Sequence, residues 1–480
     1  MKLVYQVKDK PPFGKTLIFA LQQLLAILAA TIAVPAVINS SIPEANMSQS
    51  AALFGAGVGT LVYLLFTKFR SPVFLGSSFA FLNSMITAFA GAISMQVGYL
   101  GLIIGAAFAG LVYIVISLIV KKVGVNWLNK LMPAVVVGPT VAIIGLSLAG
   151  NAVKDLVGHI SQDVNNNNAF IMNTTGALSI VCGLVTLFTV IICSVYGKKM
   201  AKMIPFIIGI VAGYAVAAIF TGIGYAAKVD ALKVIDFTKF KNMQWYPDFA
   251  FIEAFKGFKD FNGAYLGTIA VAYVPVAFVV FAEHIADHKN LSSIIEHDLL
   301  TDPGLDKTLL GDGVGSIAGA FFGGCPNTTY GESVGCVAIT GNASVATILT
   351  TAIMAIVASF LAPFVTFLAT IPNCVMGGVC ITLYGFIAVS GLKMIQKVDL
   401  GDNKNLFVVS VILIAGIGGL TLNFGKVTIT SVACALILGI LTNVLCSIGG
   451  KKKEVEGVTA EDATIAESME TNENGENKAE

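Results

Sequence analysis

Charge is what this chain of 480 residues has least of: 12% of its residues are Asp, Glu, Lys or Arg, where a soluble domain carries about a quarter. So few charges cannot cover a water-facing surface. With 56% hydrophobic residues and a mean hydropathy of +0.84, the chain reads as an integral membrane protein. A net charge of +1 offers no basic face, so nucleic acid is not an expected partner. The eight cysteines, Cys182, Cys193, Cys325, Cys336, Cys374, Cys380, Cys434 and Cys446, are scattered through apolar segments without metal-type pairing and read as small buried residues. No His-Glu-x-x-His pattern is present, and the glycines at 311, 313, 315, 319 and 323 match neither the dinucleotide nor the Walker spacing. Close helix packing explains that glycine ridge better. No catalytic pair stands at motif spacing, so neither an enzyme nor a bound metal or cofactor is expected.

What is present is a series of long apolar runs. Those at 16–38, 98–120, 174–196, 204–223 and 428–448 approach or exceed the length needed to cross a bilayer. A coarse count gives fourteen segments, starting near residues 16, 51, 73, 98, 132, 174, 204, 264, 308, 325, 346, 373, 405 and 428. The first span follows Lys8, Lys10 and Pro11-Pro12 without a small-residue cleavage site, so it is read as uncleaved. Most lysine clusters then fall on one side, which makes both termini cytoplasmic. The 226–260 connection conflicts with this, since it is placed outside yet carries Lys228, Lys233, Lys239, Lys241, Lys256 and Lys259. Past Lys453 the tail holds nine acidic residues and almost nothing large and apolar, and is expected to be disordered. The expected organisation is a cytoplasmic N-terminus at 1–15, a first half at 16–225, an extracellular loop at 226–260, a second half at 261–449 and the acidic cytoplasmic tail at 450–480.

Two segments break the helical pattern. Cys325 to Gly331, with Pro326, Asn327, Thr328 and Thr329, resists a continuous helix, and Glu332 follows at the start of a stretch that can form one. Phe74 to Phe81, after Pro72, is likewise short and rich in Gly and Ser. Extended backbone at membrane depth is tolerated only where it lines a protected cavity. The two lie about 250 residues apart, and so do the first spans of the two halves; seven segments per half would insert the halves with opposite topology. Paired interrupted segments in inverted halves point to a transporter's central binding site.

The run Phe281-Ala-Glu-His-Ile-Ala-Asp-His288 adds titratable groups. Glu283 and Asp287 share one helical face, and His284 and His288 share another. Hydropathy alone places Glu283 near the cytoplasmic end of its span, where a snorkelling carboxylate is the plain reading.

At Ala282-Glu283-His284-Ile285, Asn327-Thr-Thr-Tyr-Gly-Glu332 and Leu75-Gly-Ser-Ser-Phe-Ala-Phe81 the chain closely resembles the uracil permeases of the nucleobase-ascorbate transporter (nucleobase:cation symporter-2) family. The match runs over roughly residues 12–450, with further agreement at Gln22, Ala30-Thr31, Val34-Pro35, 375–378 and 383–385. The resemblance implies an all-α polytopic membrane protein of fourteen transmembrane segments in two inverted seven-segment repeats. It further implies a core domain from segments 1 to 4 and 8 to 11, a gate domain from the others, and short antiparallel strands in segments 3 and 10. Carried over residue by residue, it implies that Glu283 and Glu332 hydrogen-bond a base, with Ala30, Phe79 and the backbone at Gly331 completing the pocket and Tyr330 and Tyr384 as lesser candidates. It also implies proton symport in the cell (plasma or inner) membrane and a homodimer. Two departures are visible: Asp287 and then His288 stand where the family pattern has a histidine, and Ser333 where it has an asparagine.

The chemistry agrees from below. Uracil is neutral and flat with two N–H donors, which acceptor carboxylates, exposed amides and an aromatic face such as Phe79 complement. No Lys or Arg lies among these residues, which argues against an anionic cargo. A glutamate in low dielectric favours its protonated form, giving a route to proton coupling through Glu283 with help from Asp287 or His288. The expected partners are thus a nucleobase, most readily uracil, protons and the lipid bilayer. The alternatives are a purine (xanthine or urate) symporter of the same family and a passive channel of the same architecture.

Overall fold

A computed structural model describes residues 3–124, 133–158, 160–163, 169–198, 200–243, 245–424 and 427–447; the 450–480 tail lies outside the described residues. In chain order its helices and strands are α1 (Phe13–Ser41), α2 (Gln49–Phe66), β1 (Leu75–Ser77), α3 (Leu82–Ala90), α4 (Met95–Val123), α5 (Ala134–Ser147), α6 (Ala149–Leu156), β2 (Gln162–Asp163), β3 (Ala169–Phe170), α7 (Thr174–Tyr196), α8 (Met200–Met203) and α9 (Pro205–Ala227). There follow α10 (Ala250–Gly257), α11 (Gly263–Ile295), α12 (Leu305–Gly323), β4 (Asn327–Thr329), α13 (Gly331–Thr340), α14 (Val345–Ala358), α15 (Ala362–Thr370), α16 (Asn373–Gln396), α17 (Asn403–Ile417), β5 (Leu422–Phe424), β6 (Val427–Ile429) and α18 (Ser431–Ser447).

Among the described residues eight helical stretches are long and apolar enough to cross a membrane, or nine if α14 and α15, bent by 82°, count as one span. The protein is therefore a mostly helical, multi-pass membrane protein. Reaching fourteen segments requires also counting α12, the shorter apolar helices α17 and α18 and the two strand-plus-helix units, which fall outside that test.

Polar side chains set where several long helices begin. Ser48 accepts from the Ala51 N–H, Ser94 from that of Val97, Asn173 from that of Gly176 and Asn262 from that of Tyr265, each satisfying a first-turn donor that has no helical partner. Packing then sorts the helices into two groups. In one, α12 lies against α2 and α4, with α1, α10, α11 and α14 alongside; in the other, α16 lies against α5, α6 and α7, with α9, α17 and α18 around them. The glycine ridge of α12 makes the first group close-packed. A Cβ at Gly55 would stand 2.5 Å from the Gly319 carbonyl oxygen, and one at Gly315 would stand 2.7 Å from that of Gly59. Without a hydrophobic force between helices in lipid, such backbone approach is what holds them.

The two interrupted segments meet inside the first group. β1 pairs antiparallel with β4 in the register Leu75↔Thr329, Gly76↔Thr328 and Ser77↔Asn327. Ser78 N–H donates to the Pro326 carbonyl (2.9 Å), and Tyr330 N–H to that of Phe74 (3.3 Å). This short ladder satisfies backbone that a helix would otherwise have satisfied. Helices α2 and α12 hold it from behind: Leu75 N–H donates to Thr60 Oγ1 (2.9 Å), and the Asn327 amide donates to the Gly55 carbonyl (2.9 Å) in a space that Gly59 and Gly319 leave open.

Three of the six lysines of the 226–260 connection have polar partners. Lys233 bridges Asp230 at 2.7 Å, Lys256 bridges Glu253 at 2.5 Å, and Lys239 Nζ donates to the Ala369 carbonyl at 2.6 Å.

Candidate functional site

The strand pair ends where α13 begins, and that junction carries Tyr330, Gly331 and Glu332. Tyr330 is buried, and its hydroxyl donates to the Ser77 carbonyl across the ladder (2.8 Å). Its ring lies where a Cβ on Gly76 would stand, 2.3 Å away, so position 76 admits only glycine. With its hydroxyl already engaged, Tyr330 acts as a latch between the interrupted segments. Gly331 differs. It is exposed, and the one atom a Cβ there would approach is Asp287 Oδ1, at 4.0 Å. Ser333 N–H and Val334 N–H already reach the Tyr330 carbonyl (3.1 and 3.3 Å), which leaves the Gly331 N–H as the donor at the positive end of the helix dipole. Glu332 sits in that first turn, half-buried.

Helix α11 supplies the facing groups. It runs on to Ile295, so Glu283 lies well inside the helix, not at its end, and is half-buried. Neither Glu283 nor Glu332 is hydrogen-bonded to another side chain among the described residues. One turn on, Asp287 Oδ2 accepts from Thr329 Oγ1 of β4 at 2.6 Å, which ties α11 to the strand beside Gly331. Phe79, half-buried, follows β1, and its ring meets Tyr384 of α16 edge-on with centroids 6.0 Å apart. That contact joins the two packing groups. Ala30 is buried on α1.

The departure at Ser333 also has a structural account. Gln23 Nε2 of α1 donates to Ser333 Oγ at 2.5 Å, and Phe74 N–H reaches the same oxygen at 3.3 Å. Ser333 thus joins α1, the entry to β1 and α13, and its hydroxyl serves the protein.

His288 does not join the carboxylates. It is fully buried, with Nδ1 2.8 Å from the His284 carbonyl, which can only accept, so Nδ1 carries the proton. A neutral ring then accepts at Nε2, where the Tyr63 hydroxyl of α2 stands at 2.7 Å. Ser71 Oγ, 2.7 Å from the same tyrosine oxygen, completes the chain.

Sequence reasoning missed a second polar centre behind the first. His284 and Asp312 are both fully buried, with His284 Nδ1 2.7 Å from Asp312 Oδ2 and His284 Nε2 3.0 Å from Thr308 Oγ1. Asp312 Oδ1 has no partner among the described residues. The His284 and His288 rings stack with centroids 4.0 Å apart. The signal was available: Asp312 is a carboxylate inside the glycine ridge, as anomalous in its apolar run as Glu332 is in its own. Among the described residues no group of three or more His, Cys, Asp or Glu side chains is placed to hold a metal ion.

The Permease family pattern matches residues 14–425. The chain belongs to that family. It is 37% identical to the uracil permease of Bacillus caldolyticus over 96% of this chain and 98% of that one, and 36% identical to that of Bacillus subtilis over 95% and 97%. The uracil permease of Escherichia coli K12 is 32% identical over 96% and 98%. Relatives named permeases move solutes and do not transform them, so this is a membrane transporter and not an enzyme. Among solved structures it resembles the transmembrane domain of a cyanobacterium bicarbonate transporter, BicA, with TM-score 0.60 and 17% identity over 92% of this chain and all of that one. The murine Slc26a9 anion transporter in the inward-facing state gives TM-score 0.63 and 13% identity over 92% and 69%. At those identities the likeness concerns the fold alone.

Proposed function

We propose that this permease is a secondary active transporter that imports a neutral nucleobase, uracil foremost, by proton symport. The observation that carries this reading is the combination of two half-buried carboxylates without side-chain partners among the described residues, Glu283 and Glu332, with the open backbone at Gly331 and the ring of Phe79. A base with two N–H donors is held by the carboxylates, one carbonyl by the Gly331 N–H and its face by Phe79. The absence of Lys and Arg from this set supports a neutral cargo, and the uracil permeases among the relatives support uracil.

The transport cycle alternates access between a core domain, α1–α4 with α11–α14, and a gate domain formed by the remaining spans, fourteen segments in two inverted repeats. Phe79 and Tyr384 touch across the boundary, so relative motion of the domains opens or closes the pocket at that contact. The coupling proton rides on Glu283, and Asp287, bonded to β4, is the better placed of the two neighbours to relay it. The protein works as a homodimer in the inner membrane with both termini cytoplasmic.

Uptake of labelled uracil into proteoliposomes tests this reading. Saturable uptake accelerated by an inward proton gradient, and competed by unlabelled uracil more strongly than by xanthine, is the expected result. Non-saturable flux indifferent to the gradient would instead mean a channel.

A further inference from the structure

On the face that carries the 228–262 connection, away from the strand pair, the two packing groups leave a cavity of about 370 Å³. Its walls come from the end of α1 (Asn39), the start of α2 (Gln49), α15 (Thr366) and the start of α16 (Asn373), with Lys239 and Asp248 of the connection over it. We propose that this cavity is a second, transit site for the same neutral, amide-like heterocycle, occupied on the way to or from the central pocket; this rests on the nucleobase reading above.

Three observations carry it. The volume falls within the range of about 300–1,000 Å³ typical of small-molecule sites. The lining is rich in carboxamides and hydroxyls, from Asn46, Gln49, Asn373, Ser48 and Thr366, the group types that pair with the N–H donors and carbonyls of an amide-like ring. Its charged side chains, Lys239 and Asp248, are of opposite sign, and the Lys239 ammonium already donates to the Ala369 carbonyl at 2.6 Å. A neutral polar solute fits that balance, and an anion or cation does not. Because α1 and α2 belong to one packing group and α16 to the other, motion between them makes and unmakes the cavity, as a transit site requires.

Ala369, exposed on the cavity wall, is the reporter. Ala369→Cys is made in the full chain and again with Glu283→Gln and Glu332→Gln, and the rate of maleimide modification at position 369 is followed in detergent by peptide mass. Millimolar uracil should slow modification at least threefold in both backgrounds, while equimolar acetate leaves it unchanged. Adding Gln49→Ala should raise the uracil concentration needed for half-protection at least threefold. Absence of protection in both backgrounds overturns the proposal. So does protection confined to the background with intact glutamates, since closure around the central site would then explain it. Calorimetric titration of the full chain with uracil reads the central site separately, so a failure of the transporter reading shows there and not in the labelling of the double variant.

Discussion

The two faces of α11 place chemically similar groups in opposite circumstances. Asp287 looks toward the strand pair and the open backbone at Gly331, and Glu283, one turn before it on the same face, has no side-chain partner among the described residues. His284 and His288, each the very next residue, look toward α12 and α2, where Asp312, Thr308 and Tyr63 engage them at 2.7–3.0 Å. Buried polar groups are bonded unless something else is meant to bond them. The face whose acceptors are left over is the one built for a ligand, and the face whose groups are bonded is the one that fixes how α11 is rotated.

The largest expected effect comes from filling the open side. Gly331→Val sets its Cβ where the nearest protein atom is Asp287 Oδ1 at 4.0 Å, so the chain should fold and elute as the parent does while uracil binding is lost. Normal binding by that variant would place the ligand elsewhere. Next, Glu283→Gln and Glu332→Gln keep shape but weaken charge-assisted bonds of about 1.5–3 kcal/mol, so calorimetric affinity should fall about tenfold or more for each. Glu283→Gln should also lose acceleration by an inward proton gradient while keeping downhill exchange. Asp287→Asn should disturb the pH profile of uptake more than His288→Ala does, since Asp287 faces the pocket and His288 faces Tyr63. The reverse order would undo the contrast between the faces.

The bonded face should respond in stability and not in affinity. Asp312→Ala leaves the buried His284 Nδ1 unpaired, at a cost of about 1–3 kcal/mol, and Asp312→Asn, which keeps an acceptor for it, should recover most of that loss. Thermal unfolding midpoints of the purified variants measure this, with uracil affinity staying within about twofold of the parent. A tenfold loss of affinity at an unchanged midpoint would move Asp312 into the ligand site.

Much of this arrangement is legible in the sequence because broken patterns are local. Pro326, the run Asn327 to Thr329 and Gly331 announce extended backbone, Gly76 with Ser77 and Ser78 does the same, and α1 to α4 follow from plain apolar runs. What stays hidden depends on which way a helix turns. Nothing in the spacing tells that Asp287 meets Thr329 while His288 meets Tyr63, because both partners lie on other segments, more than 40 and 200 residues away. The Asp312–His284 pair escapes for the same reason: the carboxylate stands out among its glycines, but its partner is known only once the helix opposite is placed. The Tyr330 latch is likewise fixed by Gly76 across the ladder and not by its own neighbours.

The smallest expected effect sharpens the comparison by supplying a second carboxylate pair with the same bond length in a different medium. Arg70 Nη1 and Asp302 Oδ1 stand 2.7 Å apart, as close as His284 and Asp312, but with side chains 46% and 41% exposed. The hydrogen bond from the Arg70 guanidinium holds the Asp302 carboxyl below the usual carboxylate range. A lowered folded value means that the pair stabilises the protein above the unfolded carboxylate pKa of about 4, and that this contribution fades as pH falls through the lower folded value. Arg70→Ala should therefore lower the unfolding midpoint slightly at pH 7, less at high salt, and not at all once Asp302 is protonated in the parent. Should Arg70→Ala cost as much as Asp312→Ala at neutral pH, burial would not be what separates the two pairs, and the contrast between the faces of α11 would need another cause.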